Sequence, residues 1–431
     1  MQSPNGNHNS KPTLKKRQME NIILKNIHFD KNVVCYNFEV SPGLKKYFNS
    51  DKLWIEYDES LNDCPTSILT IPFVSIMLPI MWVTDAVLWV DELDFTFYHS
   101  TFYLQQAYQN LYRNHQLKGR LVPSNLRRNE ICKSKDAFIL FSGGVDAHTT
   151  YIKNKDEISR LVNIQGFYHS LQEVNKVADA DIKDISDFAH TESLEASFIK
   201  SNFGTLISEN SYRPYAKIIG DSLWHGFQHS MAFISLTIPL AYRHNCSKIL
   251  IASSFTVGDS RVCASYPTTD NEFCFASNGY AVHDGFELSR QEKIKLITDH
   301  QKAIGRPYPI RVCSFNDHNC CECEKCFRTI LGIIAEGADI KDFGFDYEEE
   351  TLTQHWINVL DRKAGLMGFH NEAISHWPHI IMRMKENYQI INDKEFVDWF
   401  LTFDFKKAKK RGVMRYYKQN FFSILKRKLH I

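Results

Sequence analysis

The chain has 431 residues, with 51 Lys+Arg against 50 Asp+Glu, a formal net charge of +1. Hydrophobic residues at 43% and charged residues at 23% exclude a disordered or fibrous chain, and the length predicts two or three domains of roughly 100–200 residues each. The near-zero charge excludes a uniformly basic nucleic-acid binder, although residues 406–431 carry ten Lys/Arg and no acid, leaving residues 1–405 with 41 cationic against 50 anionic side chains.

Residues 1–20 are polar and lack an apolar core segment, so they read as a disordered leader and not as a signal peptide. Residues 21–58 alternate apolar and polar positions between Asp/Lys/Asn and Pro-Gly turns, which predicts an antiparallel meander. Residues 64–84 carry no charge over 21 positions, about the length of a membrane span. Pro65, Pro72 and Pro79 interrupt that stretch and the strand-like AVLWV follows it, so a buried helix feeding a core strand is expected. Residues 94–113 place Phe97, Leu104, Tyr108 and Leu111 on one helical face, and the polar, basic stretch 114–133 reads as a linker. These segments define an N-terminal α+β domain over 21–130.

Over residues 131–340 strands and helices alternate. DAFILF, LVNIQGF, EASFIKS, SKILIASS and PIRVCSF read as short buried strands, with helices at AHTTYIKN, SLWHGFQHSMAFISLTIPLAY and SRQEKIKLITDH between them. That order predicts an α/β fold with a doubly wound, mostly parallel sheet. A helical extension over 341–405 and the basic tail 406–431 complete the chain. The tail interleaves Phe421, Phe422, Ile424 and Leu425 with its cations. It is expected either to lie on an anionic membrane surface, to dock a partner, or to form a solvated terminal helix.

Two segments carry chemistry. In residues 136–152 an apolar strand runs into Ser142-Gly143-Gly144-Val145-Asp146-Ala147 and then into a helix. Two glycines allow a tight turn with amide groups pointing outward, Ser142 adds a hydroxyl donor, and the helix N-terminus adds a favourable dipole, which together suit phosphate. Asp146 would orient Mg²⁺ or cap the helix. Of eleven cysteines, five fall within residues 313–326. Cys313, Cys320, Cys323 and Cys326 can close a tetrahedral thiolate site, which favours structural zinc in a reducing compartment; free thiols or an iron–sulfur cluster are the alternatives. Cys321 breaks the two-residue register, and His318 is a lesser ligand candidate.

The loop 142–147 resembles the SGGxDS signature of the PP-loop ATP pyrophosphatases, with Ala147 where that superfamily has Ser. Together with the four-cysteine knuckle it resembles the 7-cyano-7-deazaguanine synthase branch, with Cys321 replacing a Gly and Arg328 standing where the branch has an Arg. The resemblance covers about residues 136–335. The longer layout is also similar to larger synthase-like proteins of bacterial defence or surface-polysaccharide gene sets, and to an ATP-dependent epimerase of muropeptide glutamate.

The resemblance implies a PP-loop (HUP-like) domain and ATP, Mg²⁺ and structural Zn²⁺ as cofactors. It implies an enzyme that adenylylates a small molecule, a carboxylate first, releases pyrophosphate, and lets a second nucleophile displace AMP. Ser142 and Asp146 are the expected catalytic residues, and Ser142, Gly143, Gly144, Val145, Asp146 and Ala147 the ATP and pyrophosphate contacts. Asp259, Arg261, Tyr266 and Asp270 in the middle loop 253–273 are candidate substrate contacts, with ordinary loop polarity as the alternative. His225 and His229 read either as metal ligands or as pocket histidines, and Arg290, Lys293, Lys325 and Arg328 either as phosphate contacts or as solvated charges. The expected location is cytoplasmic, or peripheral at the membrane if the tail binds lipid. Alternative functions are a PP-loop enzyme that thiolates or amidates tRNA, and a non-catalytic nucleotide-binding subunit. The acidic body argues against nucleic acid as a partner.

Overall fold

A computed structural model describes residues 19–166, 171–219, 222–259, 263–314, 316–363 and 368–404, with Lys407 and Met414. The leader up to residue 18, Arg261, and the tail 406–431 apart from those last two residues lie outside the described residues.

The strands are β1 (Asn21–Asp30), β2 (Val33–Val40), β3 (Lys52–Glu56), β4 (Val87–Asp94), β5 (Arg120–Arg127), β6 (Ala137–Leu140), β7 (Ile158–Gln165), β8 (Glu195–Ser201), β9 (Lys248–Ala252), β10 (Cys274–Phe275) and β11 (Gly279–Asp284). They form one 11-stranded sheet in the order β10-β11-β9-β6-β7-β8-β3-β2-β1-β4-β5. Pairing is parallel from β11 through β9, β6 and β7 to β8, and again between β1, β4 and β5. It is antiparallel for β10–β11 and through β8, β3, β2 and β1. The sheet is therefore mostly parallel and the fold is α/β.

The longer helices are α1 (Thr66–Thr84), α2 (Phe95–Leu111), α3 (Val145–Asn154) and α4 (Leu171–Glu192), followed by the short α5 (Phe203–Leu206) and by α6 (Glu209–Ile219) and α7 (His229–Arg243). After the short α8 (Pro267–Asp270) come α9 (Arg290–Ile304), α10 (Glu324–Ala335), α11 (Leu352–Lys363), α12 (Gly368–Glu386) and α13 (Lys394–Thr402).

Strand side chains alternate between two buried faces, as the two-residue period requires. Phe138, Ile249 and Ala281 join the large core that holds α1 and α7. Ala137, Ile139 and Leu250 join a cluster with Ala147 and Tyr151 of α3 and Ile185 and Ala189 of α4. The sheet is thus covered on both sides, the arrangement that lets parallel strands be apolar throughout. A third core collects the cysteine segment with α10 to α13.

The apolar stretch 64–84 is the core helix α1, with Pro72 and Pro79 inside it and β4 directly after. It is long and apolar enough to cross a membrane, but 94% of its most apolar window is buried in the protein. A helix that is apolar all round is a core helix when protein surrounds it, and this burial is compatible with a soluble protein.

Two local readings need correction. The segment 114–133, read as linker, contains the edge strand β5, which pairs with β4 over seven positions. Residues 309–314 of the stretch PIRVCSF are not a strand. Pro307 and Pro309 lack backbone donors, and the N–H groups between them and Cys313 turn elsewhere: Tyr308 to Asp342 O, Ile310 to Phe343 O, and Arg311 to Gly143 O. The fifth parallel strand is instead β11, GYAVHD, whose alternation is short and broken by its glycine and histidine. Helix α4 was not anticipated either.

Candidate functional site

The loop Ser142–Gly144 leaves β6 at its carboxyl end. The chain runs from β6 to β7 and β8 on one side and then crosses to β9 on the other, so β6 and β9 flank the point where strand order reverses. In open α/β sheets the crevice at such a point is the usual ligand site. Gly143 has φ +72°, a left-handed conformation that favours glycine, and its carbonyl accepts the Arg311 N–H at 2.9 Å. Gly144 is the N-cap of α3 and offers no side-chain cap, so the first-turn amides of α3, which have no partner within the helix, remain donors. Ser142 is exposed beside them, while Val145 and Ala147 are buried.

Asp146, the second residue of α3, is the electrostatic centre. Arg290 Nη1 donates to its Oδ2 and Lys293 Nζ to its Oδ1, both at 3.0 Å. Lys293 Nζ also donates to the Ser253 carbonyl at 2.5 Å. Burial alone would raise the Asp146 carboxyl, but Lys293 and Arg290, with Arg328 behind them, hold it well below the usual carboxylate range. The side chains of Lys293 and Arg290 are only 3% and 12% exposed, so these two cations belong to the site and not to a solvated face.

Arg290 and Lys293 project from the first turn of α9, which Ser289 and Glu292 cap reciprocally. Lys325 and Arg328 project from the first turns of α10, whose N-cap is Cys323. Arg328 pairs with Glu324 at 3.6 Å. Burial, and then the fields of Arg328 and Arg290, push the Lys325 ammonium below its ordinary value. Three helix N-termini, those of α3, α9 and α10, therefore meet at one loop with four cations against Asp146 and Glu324. Such termini carry partial positive charge, although one first-turn N–H of α9 is taken by Ser289 Oγ and one of α10 by Cys323 Sγ. The convergence was not legible in the sequence, although the Ser289/Glu292 capping pair that starts α9 was a local signal for it.

The Sγ atoms of Cys313, Cys320, Cys323 and Cys326 all lie within 4.8 Å of one another, Cys320 and Cys326 at 4.0 Å. Thiolates about 2.3 Å from a tetrahedral zinc stand roughly 3.8 Å apart, so the set fits a four-thiolate metal and is compatible with structural zinc. Backbone N–H groups of Glu322 and Cys326 point at the sulfurs of Cys320 and Cys323, each at 3.5 Å. Such donors orient and stabilise metal-bound thiolates. Cys321 stays outside the set, buried, with φ +49°. His318 is exposed and bonded to Asp317. Among the described residues these four cysteines are the one group of three or more metal-ligating side chains within reach of a single ion.

The middle loop divides. Its root, Ser253, touches Lys293, which puts the loop's start beside Asp146. Asp259 is half-buried and its N–H donates to Thr256 O at 3.0 Å. The Tyr266 ring packs edge-on against Phe286. Arg261 lies outside the described residues. Asp270 is turned into the core, where its Oδ2 meets His283 Nδ1 at 2.7 Å and accepts from Ser265 Oγ at 3.0 Å. His283, at the carboxyl end of β11, keeps a buried Nε2 with no hydrogen-bond partner. This carboxylate–imidazole pair escaped sequence reasoning, since nothing local links the two residues.

His225 and His229 belong to no group of three or more metal-ligating side chains among the described residues. A π turn over Trp224–Gln228 precedes α7, leaving His225 exposed and His229 half-buried. Burial pushes the His229 imidazole down to about 4, against the opposing pull of Asp270. No protein-family model matches the chain, and no curated protein is similar to it.

Proposed function

We propose that the chain binds MgATP with its polyphosphate over residues 142–147 and adenylylates an oxygen of a small-molecule substrate, a carboxylate first. Pyrophosphate leaves into the loop, and a second nucleophile then displaces AMP. The carrying observation is the meeting of three helix N-termini and the cations Arg290, Lys293, Lys325 and Arg328 at a strand-reversal loop. A polyphosphate needs many donors and several positive charges at once, and here it finds both.

In this reading catalysis is positioning and charge neutralisation, with no protein nucleophile. Ser142, exposed at the loop, donates to a phosphate oxygen. Asp146 holds Arg290 and Lys293 in place, and Mg²⁺ arrives with the nucleotide. Ala147 lies in the buried cluster with Ile139 and Phe141, so position 147 contributes its backbone N–H and the methyl packs against the sheet. The resemblance of residues 142–147 and of the cysteine knuckle to the PP-loop synthase branch points the same way. The knuckle then holds zinc, and eleven cysteines without a disulfide among them suit a cytoplasmic, reducing setting.

The test is exchange of labelled pyrophosphate into ATP in the presence of Mg²⁺ and a protein-free small-molecule cell extract. Wild type is expected to exchange. Asp146→Ala should lose at least about 100-fold, as expected for removal of a preorganised charge centre, and the exposed Ser142→Ala should fall less. Equal exchange by wild type and Asp146→Ala, with both folded by circular dichroism, overturns the reading.

A further inference from the structure

The metal knuckle and the phosphate loop are built into each other. Arg311, two residues before Cys313, donates its N–H to the carbonyl of Gly143, the residue that turns the loop. Lys325 lies between Cys323 and Cys326 and donates through Nζ at 2.7 Å to Ser314 Oγ, next to Cys313. Cys323 caps α10, its sulfur accepting from the Cys326 N–H, so the same residue belongs to the knuckle and starts the helix that carries Arg328. Val145, the first residue of α3, shares a buried cluster with Cys313, Cys326 and Phe327. From the other side, Gln291 of α9 donates to the Gly332 carbonyl of α10 at 3.0 Å. This ties the helix bearing Arg290 and Lys293 to the helix bearing Lys325 and Arg328.

We propose that the four-cysteine metal site is thermodynamically coupled to polyphosphate binding, because the metal fixes the loop, Lys325 and Arg328 in the arrangement a bound polyphosphate engages. This rests on the MgATP-binding reading above and adds to it a role for the metal beyond holding the fold. Without metal, four thiols no longer converge on one point. The segment 313–326 is then released at both ends, at Arg311–Gly143 and at the N-cap of α10. A polyphosphate that bridges the loop amides to Lys325 and Arg328 holds those elements together from the opposite side. Coupling of this kind is reciprocal: whatever factor the metal adds to nucleotide affinity, the nucleotide adds to metal affinity. The positive charge of Lys325 and Arg328 is the physical link, and adenosine, which has no phosphates, cannot exert it.

The experiment uses the full-length, zinc-loaded chain and competition with a chromogenic chelator of known zinc affinity. Zinc affinity is measured alone, with MgATP, and with adenosine. Mg²⁺ is kept in excess over ATP so that the nucleotide does not itself bind zinc. MgATP binding is measured on the same protein by calorimetry. Expected is a zinc affinity higher by about five-fold or more with MgATP and unchanged with adenosine. In Arg328→Gln, and in Lys325→Gln, zinc affinity without nucleotide should be retained and the MgATP effect should shrink. Calorimetric MgATP binding with an unchanged zinc affinity overturns the coupling alone. Absence of MgATP binding overturns both the coupling and the function from which it starts.

Discussion

An ammonium group taken out of water is costly unless a carboxylate and further acceptors surround it, and Lys293 meets both conditions through Asp146 and the Ser253 carbonyl. Removing its charge leaves Asp146 with Arg290 as its remaining direct partner and the Ser253 carbonyl without its donor. Lys293→Met is therefore expected to destabilise the fold by about 3 kcal/mol. Adding Asp146→Asn should recover part of that loss, because the uncompensated charge is then gone; urea denaturation of the two variants and wild type checks both. The pH dependence has a fixed sign. The folded Asp146 carboxyl is depressed, so its stabilisation is present above the unfolded value near 4 and is lost as pH falls through the folded one. The gap between wild type and Lys293→Met should thus be constant from pH 5 to 7 and narrow only below about pH 4. A gap that closes near neutrality would show that Asp146 is not the partner that matters. Arg290 and Lys293 stand 144 and 147 positions from Asp146. Their pairing is invisible to any local pattern, whereas Ser142 and the glycines announce themselves by sitting between a strand and a helix.

The two loop glycines do different work. Gly143 needs its left-handed φ of +72°, yet an added Cβ would meet nothing within 4 Å. Gly144 has φ −87° and ψ 173°, open to any residue, and an added Cβ would come no closer than 3.6 Å to Ser142 Oγ. Gly143→Ala is accordingly expected to cost about 1–2 kcal/mol from backbone conformation alone, and Gly144→Ala less than about 0.5 kcal/mol. If a phosphate lies against the start of α3, Gly144→Ala should still weaken MgATP binding, since the methyl stands where the nucleotide approaches. Calorimetry on the two variants beside thermal unfolding separates these effects. Element identities followed the strength of their local signals. Strands β6, β7, β8 and β9 and the capped helix α9 were readable because each has a clear period or cap. PIRVC imitated a strand through its apolar residues while its prolines and its bonds to Gly143, Asp342 and Phe343 kept it out of the sheet. The true fifth strand, β11, is only six residues long and carries His283 and a glycine, a pattern too weak to mark it.

At the scale of the whole molecule, the sheet and the cores are organised differently. One sheet runs through all 11 strands, joined between the N-terminal strands and the parallel set by β3 and β8. That ladder pairs only Ile55 with Ser201 and Glu56 with Lys200. Side chains reinforce it: Asn202 bonds both the Trp54 N–H and the Lys52 carbonyl, and Asp58 accepts from the Phe198 N–H. A join of two residue pairs between distant segments has no sequence signature, and its strength comes from the core beneath it, which contains residues of both strand sets. The cysteine segment, by contrast, packs in a separate core with Phe327, Ile330, Trp356, Ile380 and Phe396, touching the rest through Val145, Ile294 and Ile297. Metal removal should therefore be felt unevenly. With the zinc-loaded protein and a strong chelator, amide hydrogen exchange is expected to rise in residues 324–335, 352–363 and 394–402 and at the start of α3. Strands β1 to β4 and helix α1 should keep their protection, because local opening follows the cooperative unit that has lost its anchor. Equal loss of protection across all 11 strands would mean that the two cores unfold as one. No change anywhere on full metal removal would mean that the thiolate cluster holds neither its own helices nor the loop 142–144 attached to them.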